Sequence, residues 1–289
     1  MSRGSNQIIT MTQTSQPKVS IITVCLNSRK YIEDTIRSVR GQTYKNIEYI
    51  IIDGGSTDGT TEVLQRHDKD IDYWISEPDK GISDAFNKGI KASKGDIIGI
   101  INAGDRYTEE AVSLAVEVLR ENPEFDFVYG DLIYTDDNGN PQFLVKGDRN
   151  YQKKIYYTMP SLIHPTVFLK RDAYESCGLY DESYTLAMDY EFLLRITRYG
   201  KKGIYVEDTL ASMRFGGISY SKFYDSYKEV CRASIKYGYS PTKAYLRLYL
   251  KGIRGVVRIG MEAVGLNSAV RLLRKIFWSV EDLRTTKPE

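Results

Sequence analysis

The chain is poor in cysteine: Cys25, Cys177 and Cys231 are its only three in 289 residues. They form no CxxC pair and no regular framework, which argues against a disulfide scaffold or a cysteine-built zinc site. A reducing, cytoplasmic setting is the simpler expectation. Long apolar runs are missing as well. No uninterrupted stretch reaches the length that spans a bilayer, so any membrane contact is expected at the surface, as a peripheral protein on the cytoplasmic face. Residues 1–16 lack the apolar centre of a signal peptide and, being polar and rich in Ser, Thr and Gln, are expected to form a flexible leader. Net charge is close to balanced at +2. Its distribution is not: between Lys236 and Ile276 nine basic residues accompany one acid, Glu262, so this segment carries about +8 and the rest about −6. With 42% hydrophobic and 27% charged residues, the composition is that of a folded globular protein.

The apolar patterning repeats a unit. Val19 to Val24 is a β-rich run, followed by Asn27 and a helical pattern through Ile32, Ile36 and Val39. Ile47 to Ile52 is a second run that stops at Asp53-Gly54-Gly55-Ser56-Thr57-Asp58-Gly59, after which Val63 and Leu64 open a helix. A strand over Ile71 to Ser76, a helix over Ser83 to Ala92 and a strand over Asp96 to Ile101 follow. Such alternation predicts an α/β fold with a Rossmann-like, mainly parallel sheet flanked by helices. Ligands of such sheets sit at the carboxyl ends of the strands, so the polar loops after Val24, Ile52 and Ile101 are expected to share one rim. Ala111 to Leu119 reads as a helix, and Phe125 to Tyr134 as a strand entering the turn Asp136 to Asn140. Met188-Asp189-Tyr190-Glu191-Phe192 opens a further helix. Beyond Pro241, Lys243, Arg247, Lys251, Arg254 and Arg258 recur at intervals of three and four, which places them on one helical face.

Three acidic loops at strand ends carry the chemical signal. A divalent ion bridging two phosphates needs only one or two protein carboxylates, because Mg2+ and Mn2+ keep water and phosphate oxygens as their other ligands. Asp105 is the candidate ligand for Mn2+ or Mg2+, with Asn102 beside it; a turn and helix cap would also account for Asn102 to Asp105. Asp53 and Asp58 bracket a glycine-rich turn where carboxylates can accept hydrogen bonds from a base or ribose, although such turns also serve only to reverse the chain. Lys80, in Glu77-Pro78-Asp79-Lys80-Gly81, and Asn87 are candidate donor contacts, against the plainer reading of a solvated loop and helix. Asp189, next to Tyr190 at a helix start, suits a carboxylate that accepts a proton from a sugar hydroxyl, or one that merely complements the helix dipole. His164, one of two histidines, is a candidate acceptor contact against the plainer reading of a structural histidine, and Glu191 is a further candidate acceptor contact.

Taken together, these motifs resemble the family 2 glycosyltransferases of the GT-A fold, over roughly Pro17 to Ser219. Val19 to Thr23 through Asn27 is similar to the family's opening strand and donor loop, which adds Thr23 and Val24 to the donor contacts. Asp53 to Asp58 resembles its second acidic loop, Gly81 to Gly89 the helix beneath the donor, Asn102 to Asp105 the metal loop, and Met188 to Glu191 the motif bearing a catalytic base. The resemblance implies a catalytic domain over 17–220, with a donor half to about 134 and an acceptor half from about 135, then a helical basic segment over 221–289. It also implies metal-assisted inverting transfer from a nucleotide sugar to a glycan or lipid-linked acceptor, as in bacterial polysaccharide synthesis, with Asp189 as base. Three departures stand out: Val24-Cys25-Leu26-Asn27 lacks the aromatic ring common at this place, Gly54 replaces the second of two acids, and the metal loop keeps only Asp105. These departures leave the base of the donor open; a UDP-sugar is the leading expectation, with GDP- and dTDP-sugars as alternatives. A sugar-phosphate nucleotidyltransferase would share sheet and metal, but no glycine-rich, Arg-containing loop follows the first strand. A noncatalytic nucleotide-sugar-binding protein is the other alternative. For the basic segment a membrane surface is favoured over nucleic acid or a solvated helix face.

Overall fold

The computed structural model describes residues 16–214, 222–264 and 280–282. Four strands, β1 (Val19–Cys25), β2 (Ile47–Asp53), β3 (Tyr73–Ser76) and β4 (Ile97–Asn102), pair in parallel in the order β3-β2-β1-β4. Between them lie α1 (Ile32–Arg40), α2 (Thr60–Arg66) and α3 (Ile82–Ala92). β1, β2 and β4 are almost wholly buried because both sheet faces are covered there, whereas β3 at the sheet edge is partly exposed. Ile22, Val24, Ile50, Ile52, Ile98 and Ile100 enter one core layer, with Ala85, Phe86 and Ile90 of α3. Ile21, Ile51, Ile97 and Ile101 enter the opposite layer, against Ile32, Ile36 and Val39 of α1. The two-residue period thus fixes the register, since a slip of one residue would exchange the layers.

The second half departs from the parallel expectation. After β5 (Arg106–Tyr107) and α4 (Ala111–Glu121), a hairpin of β6 (Phe127–Thr135) and β7 (Pro141–Val145) forms around the Asp136 to Asn140 turn. The chain then passes α5 (Tyr151–Lys154) and a 3-10 turn (His164–Thr166) into β8 (Phe168–Lys170), which inserts antiparallel between β4 and β6. Three residues are too short for a periodic signal. α6 (Arg171–Cys177), α7 (Met188–Arg198) and β9 (Gly203–Arg214) complete this half, β9 running parallel to β6 and closing on β5.

Among the described residues two helices follow, α8 (Phe223–Lys236) and α9 (Pro241–Ala263). A short strand, β10 (Val280–Asp282), pairs antiparallel with β7, so the terminal segment contains more than helix. Arg271, Arg274 and Lys275 of the basic run, and most of the leader, lie outside the described residues. The three cysteines are free and buried.

Candidate active site

The parallel pairing brings the polar loops to one rim. Cys25 is opposite Asp53, and Val24 is opposite both Ile52 and Asn102. Backbone bonds seal the strand ends: Gly54 N–H donates to the Cys25 carbonyl at 2.9 Å, and Ala103 N–H to that of Val24 at 3.1 Å. Thr23 lies in the strand interior with its hydroxyl 3.1 Å from that of Tyr49, and Val24 is buried in the core, so their side chains support the rim from below.

The loops after β1 and β2 are zipped together. Asn27, in a left-handed conformation (φ 49°), donates its N–H to Ser56 Oγ at 2.7 Å, while its Oδ1 accepts Thr57 N–H at 3.0 Å. Asp58 Oδ2 accepts Arg29 N–H at 3.0 Å and Oδ1 accepts Thr60 N–H at 3.0 Å; the Thr60 hydroxyl also donates to Oδ1, and these bonds hold the carboxyl below the usual carboxylate range. Asp53 is wholly buried and accepts Ser56 N–H at 2.9 Å and the Ser76 hydroxyl at 2.6 Å on Oδ2, with the Ser56 hydroxyl and the Cys25 thiol on Oδ1. Asp53 and Asp58 are latches that shape the loop after β2. Lys80 is exposed on the next loop, where its N–H is held by Asp84 at 3.0 Å. Asn87 is buried, both ends of its amide bonded to the Tyr180 backbone at 2.9 and 3.0 Å. It thereby ties α3 to the segment that precedes α7.

At the end of β4 the chain turns through Gly104 (φ 101°) to Asp105. Thr35 of α1 secures this turn: its hydroxyl donates to the Asp105 carbonyl at 2.8 Å and accepts Gly104 N–H at 2.9 Å. Arg214 at the end of β9 reaches the Gly104 carbonyl at 3.3 Å and stacks over Tyr31 at 3.8 Å. The Asp105 carboxyl is buried and desolvation pushes its pKa up to about 8, opposed by a bond from the Arg214 backbone and by the Arg214 charge. Asn102 Oδ1 is buried with no hydrogen-bond partner. An orphaned amide oxygen and a desolvated carboxyl on one short turn are hard donors that a divalent cation would satisfy. Among the described residues no group of three or more His, Cys, Asp or Glu side chains converges. The turn therefore fits an ion that draws its other ligands from water and phosphate, such as Mg2+ or Mn2+.

Asp189 occupies the first turn of α7 and is partly exposed, Oδ1 accepting the adjoining Tyr190 N–H at 2.8 Å. Burial pushes its carboxyl pKa up to about 6, and the charge of Glu229 adds to the rise. It lines a small pocket with Ile100, His164, Tyr180 and Phe192. His164 stacks on Phe86 (ring centroids 4.9 Å apart), its Nε2 buried without a partner, and desolvation lowers its pKa to about 4, so the ring is neutral. Glu191 faces away from this pocket. Fully buried, it pairs with Arg195 at 3.1 Å, accepts the Tyr237 hydroxyl at 2.6 Å and lies 3.5 Å from Lys236.

Three contributors escaped the sequence reading. Tyr134, at the end of β6, has its hydroxyl pKa pushed up to about 12, first by burial and then by the charges of Asp105 and Asp189, so both carboxyls bear on one residue. Glu229 of α8 accepts the N–H groups of Thr185, Leu186 and Ala187 at 2.8 to 3.1 Å and fixes the entry to α7. Arg214 is the third. None belongs to a local motif; each acts on residues distant in the sequence, where periodicity and spacing carry no signal.

A parallel sheet with acid-bearing loops at its carboxyl rim, extended by an antiparallel half, is the arrangement of the GT-A fold. The profile described as Glycosyl transferase family 2 matches residues 20–178, more than half of the chain, and the chain belongs to that family. An uncharacterized glycosyltransferase of Mycobacterium tuberculosis is 32% identical over 188 residues, covering 63% of this chain and 70% of that protein. Chondroitin synthase of Escherichia coli is 28% identical over 202 residues, 68% of this chain but 29% of the synthase. Among solved structures, the Pyrobaculum calidifontis mannosyltransferase PcManGT, in complex with GDP-Man and Mn2+, superimposes with a TM-score of 0.61 at 18% identity, over 90% of this chain and 81% of that one. S. aureus TarS does so at 0.58 and 17% identity, over 78% of this chain and 41% of its own. At these identities the likeness speaks for the fold.

Proposed function

We propose that this enzyme transfers a sugar from a nucleoside-diphosphate donor to a hydroxyl of a glycan or lipid-linked acceptor, with inversion, using Asp189 as general base. The observations that support this reading are the turn at the end of β4, where the buried Asp105 carboxyl follows the unpartnered Asn102 Oδ1, and the small pocket in which Asp189 meets Ile100 of the same strand. A base poised near 6 is ionised at neutral pH and still basic enough to take a proton as the acceptor oxygen attacks. In a single displacement the acceptor oxygen bonds to the anomeric carbon, the bond to the phosphate oxygen breaks, and the hydroxyl proton passes to Asp189. Asp105 and Asn102 would hold Mn2+ or Mg2+, which when bound neutralises charge on the departing diphosphate. Asn27 and the loop shaped by Asp53 and Asp58 frame the nucleotide, with Lys80 available to a phosphate and His164 to the acceptor. The UDP-bound TarS fragment and the GDP-Man- and Mn2+-bound mannosyltransferase support donors of this class.

The acceptor reading extends to a membrane surface at α9. No helix of the described residues is long and apolar enough to cross a bilayer. Tyr245, Leu246, Tyr249, Leu250 and Ile253 are nonetheless exposed along α9, while Arg247 lies over Tyr157 at 4.2 Å and Lys251 reaches Thr158 at 3.2 Å. Two basic residues of the predicted stripe thus pack toward the catalytic domain, and apolar side chains face outward, suited to an interfacial helix. The test of the activity is product analysis with a panel of nucleotide sugars and Mn2+: release of nucleoside diphosphate with an inverted anomeric centre is expected. Release of pyrophosphate from nucleoside triphosphate and sugar phosphate would overturn it.

A further inference from the structure

The two acids that bracket the glycine-rich turn are saturated, which leaves open what recognises the base of the donor. Asp79, in the loop after β3, is placed differently. Its Oδ1 accepts Gly81 N–H at 2.8 Å, while Oδ2 receives no hydrogen bond from the described residues. That oxygen lies over the bare backbone of Gly54: a Cβ built on Gly54 would stand 2.5 Å from Asp79 Oδ2 and 3.5 Å from Leu26 Cδ1. The missing side chain at the end of β2 is what admits a carboxylate from the neighbouring loop. Leu26 borders the same space and is 56% exposed.

An open carboxylate oxygen beside an exposed aliphatic side chain, at the carboxyl rim of a parallel sheet, suits a flat ring whose edge carries an N–H group. We infer that Asp79 reads the donor's nucleobase, selecting bases with a ring N–H, namely uracil, thymine or guanine. Cytosine and adenine present an unprotonated ring nitrogen at the corresponding edge, and its lone pair would face the carboxylate. A site built to accept a hydrogen bond rejects an analogue that cannot supply one, because the buried partner is left unpaired. Asp79 keeps partial exposure, so the expected discrimination is about ten- to a hundredfold. The inference rests on the nucleotide-sugar reading of the site and assigns its base selectivity to this chain's own exchange of a strand-end side chain for a loop carboxylate.

The test is calorimetric binding of UDP, GDP, CDP and ADP with Mn2+ to the full chain. The wild type should bind UDP or GDP at least tenfold more tightly than CDP and ADP. Asp79→Asn, which can still accept Gly81 N–H, should shrink that ratio to about threefold or less. Combining Asp79→Gly with Gly54→Asp moves the carboxylate onto the strand end without the clash and should restore the ratio. Unchanged selectivity in Asp79→Asn overturns the assignment while leaving the donor reading intact. Binding of none of the four nucleotides by the wild type would overturn the donor reading and the assignment with it.

Discussion

Replacing Asp189 by asparagine should slow transfer sharply and stabilise the fold at the same time. The carboxyl is raised from 3.8 in a free chain to about 6 in the folded one, mainly by burial. Between these values the native state binds more protons than the unfolded state, so stability falls as pH rises through the window and remains lower above it. A shift of about two units corresponds to about 3 kcal/mol at neutral pH, and the partial exposure of Asp189 reduces the expected gain to about 1–2 kcal/mol. Asparagine keeps an oxygen for Tyr190 N–H, so the helix start is preserved. Denaturant unfolding should show Asp189→Asn more stable than wild type at pH 7.5 and equal to it near pH 3.5. Transfer should fall by about a hundred- to ten-thousandfold with donor affinity little changed. In the wild type, kcat/KM should drop about tenfold per pH unit below 6, where the base is protonated. A variant that keeps activity, or gains no stability at pH 7.5, refutes the role and the burial argument respectively.

Other outcomes follow from the same contacts. Glu229→Gln removes a charge that raises the Asp189 pKa and weakens the bonds to Thr185, Leu186 and Ala187, so the acid limb of the pH profile should move to lower pH and stability should fall by about 1–3 kcal/mol. An unmoved profile would show that Glu229 only braces the loop. Gly89→Ala places a methyl 2.4 Å from Ile22 Cγ2, where α3 meets β1, and should cost about 1–3 kcal/mol by thermal or chemical unfolding. Thr35→Val leaves Gly104 N–H and the Asp105 carbonyl without their bridge and should raise the Mn2+ concentration needed for half-maximal activity more than it raises the donor KM. Replacing Leu246 and Leu250 by serine should reduce sedimentation with anionic liposomes without changing transfer to a soluble acceptor; equal sedimentation of wild type with and without liposomes removes α9 as a membrane contact.

Local pattern determined the parallel first half. Short, β-rich and largely apolar runs at Val19 to Val24, Ile47 to Ile52 and Ile97 to Ile101 predict strands covered on both faces, and the polar residues Asn27, Asp53 and Asn102 mark where those runs stop. Once parallel pairing is inferred, those ends must share a rim, and the structure pairs them so. Tertiary placement decided how each polar group is used. Asp53 and Asp58 carry the motif, yet their oxygens are filled by neighbours folded back from Ser56, Ser76, Arg29 and Thr60. Asn87 spends its amide on a backbone 93 residues away, and Glu191 turns to Arg195 and Tyr237. The outward face of α9 likewise depended on which side Tyr157 and Thr158 occupied. Hydrophobic period is a property of neighbouring residues and survives in the sequence, whereas hydrogen-bond saturation and desolvation depend on atoms brought together only by folding. The strand ends and their acids were therefore written in the chain, and the division of labour among those acids was settled in three dimensions.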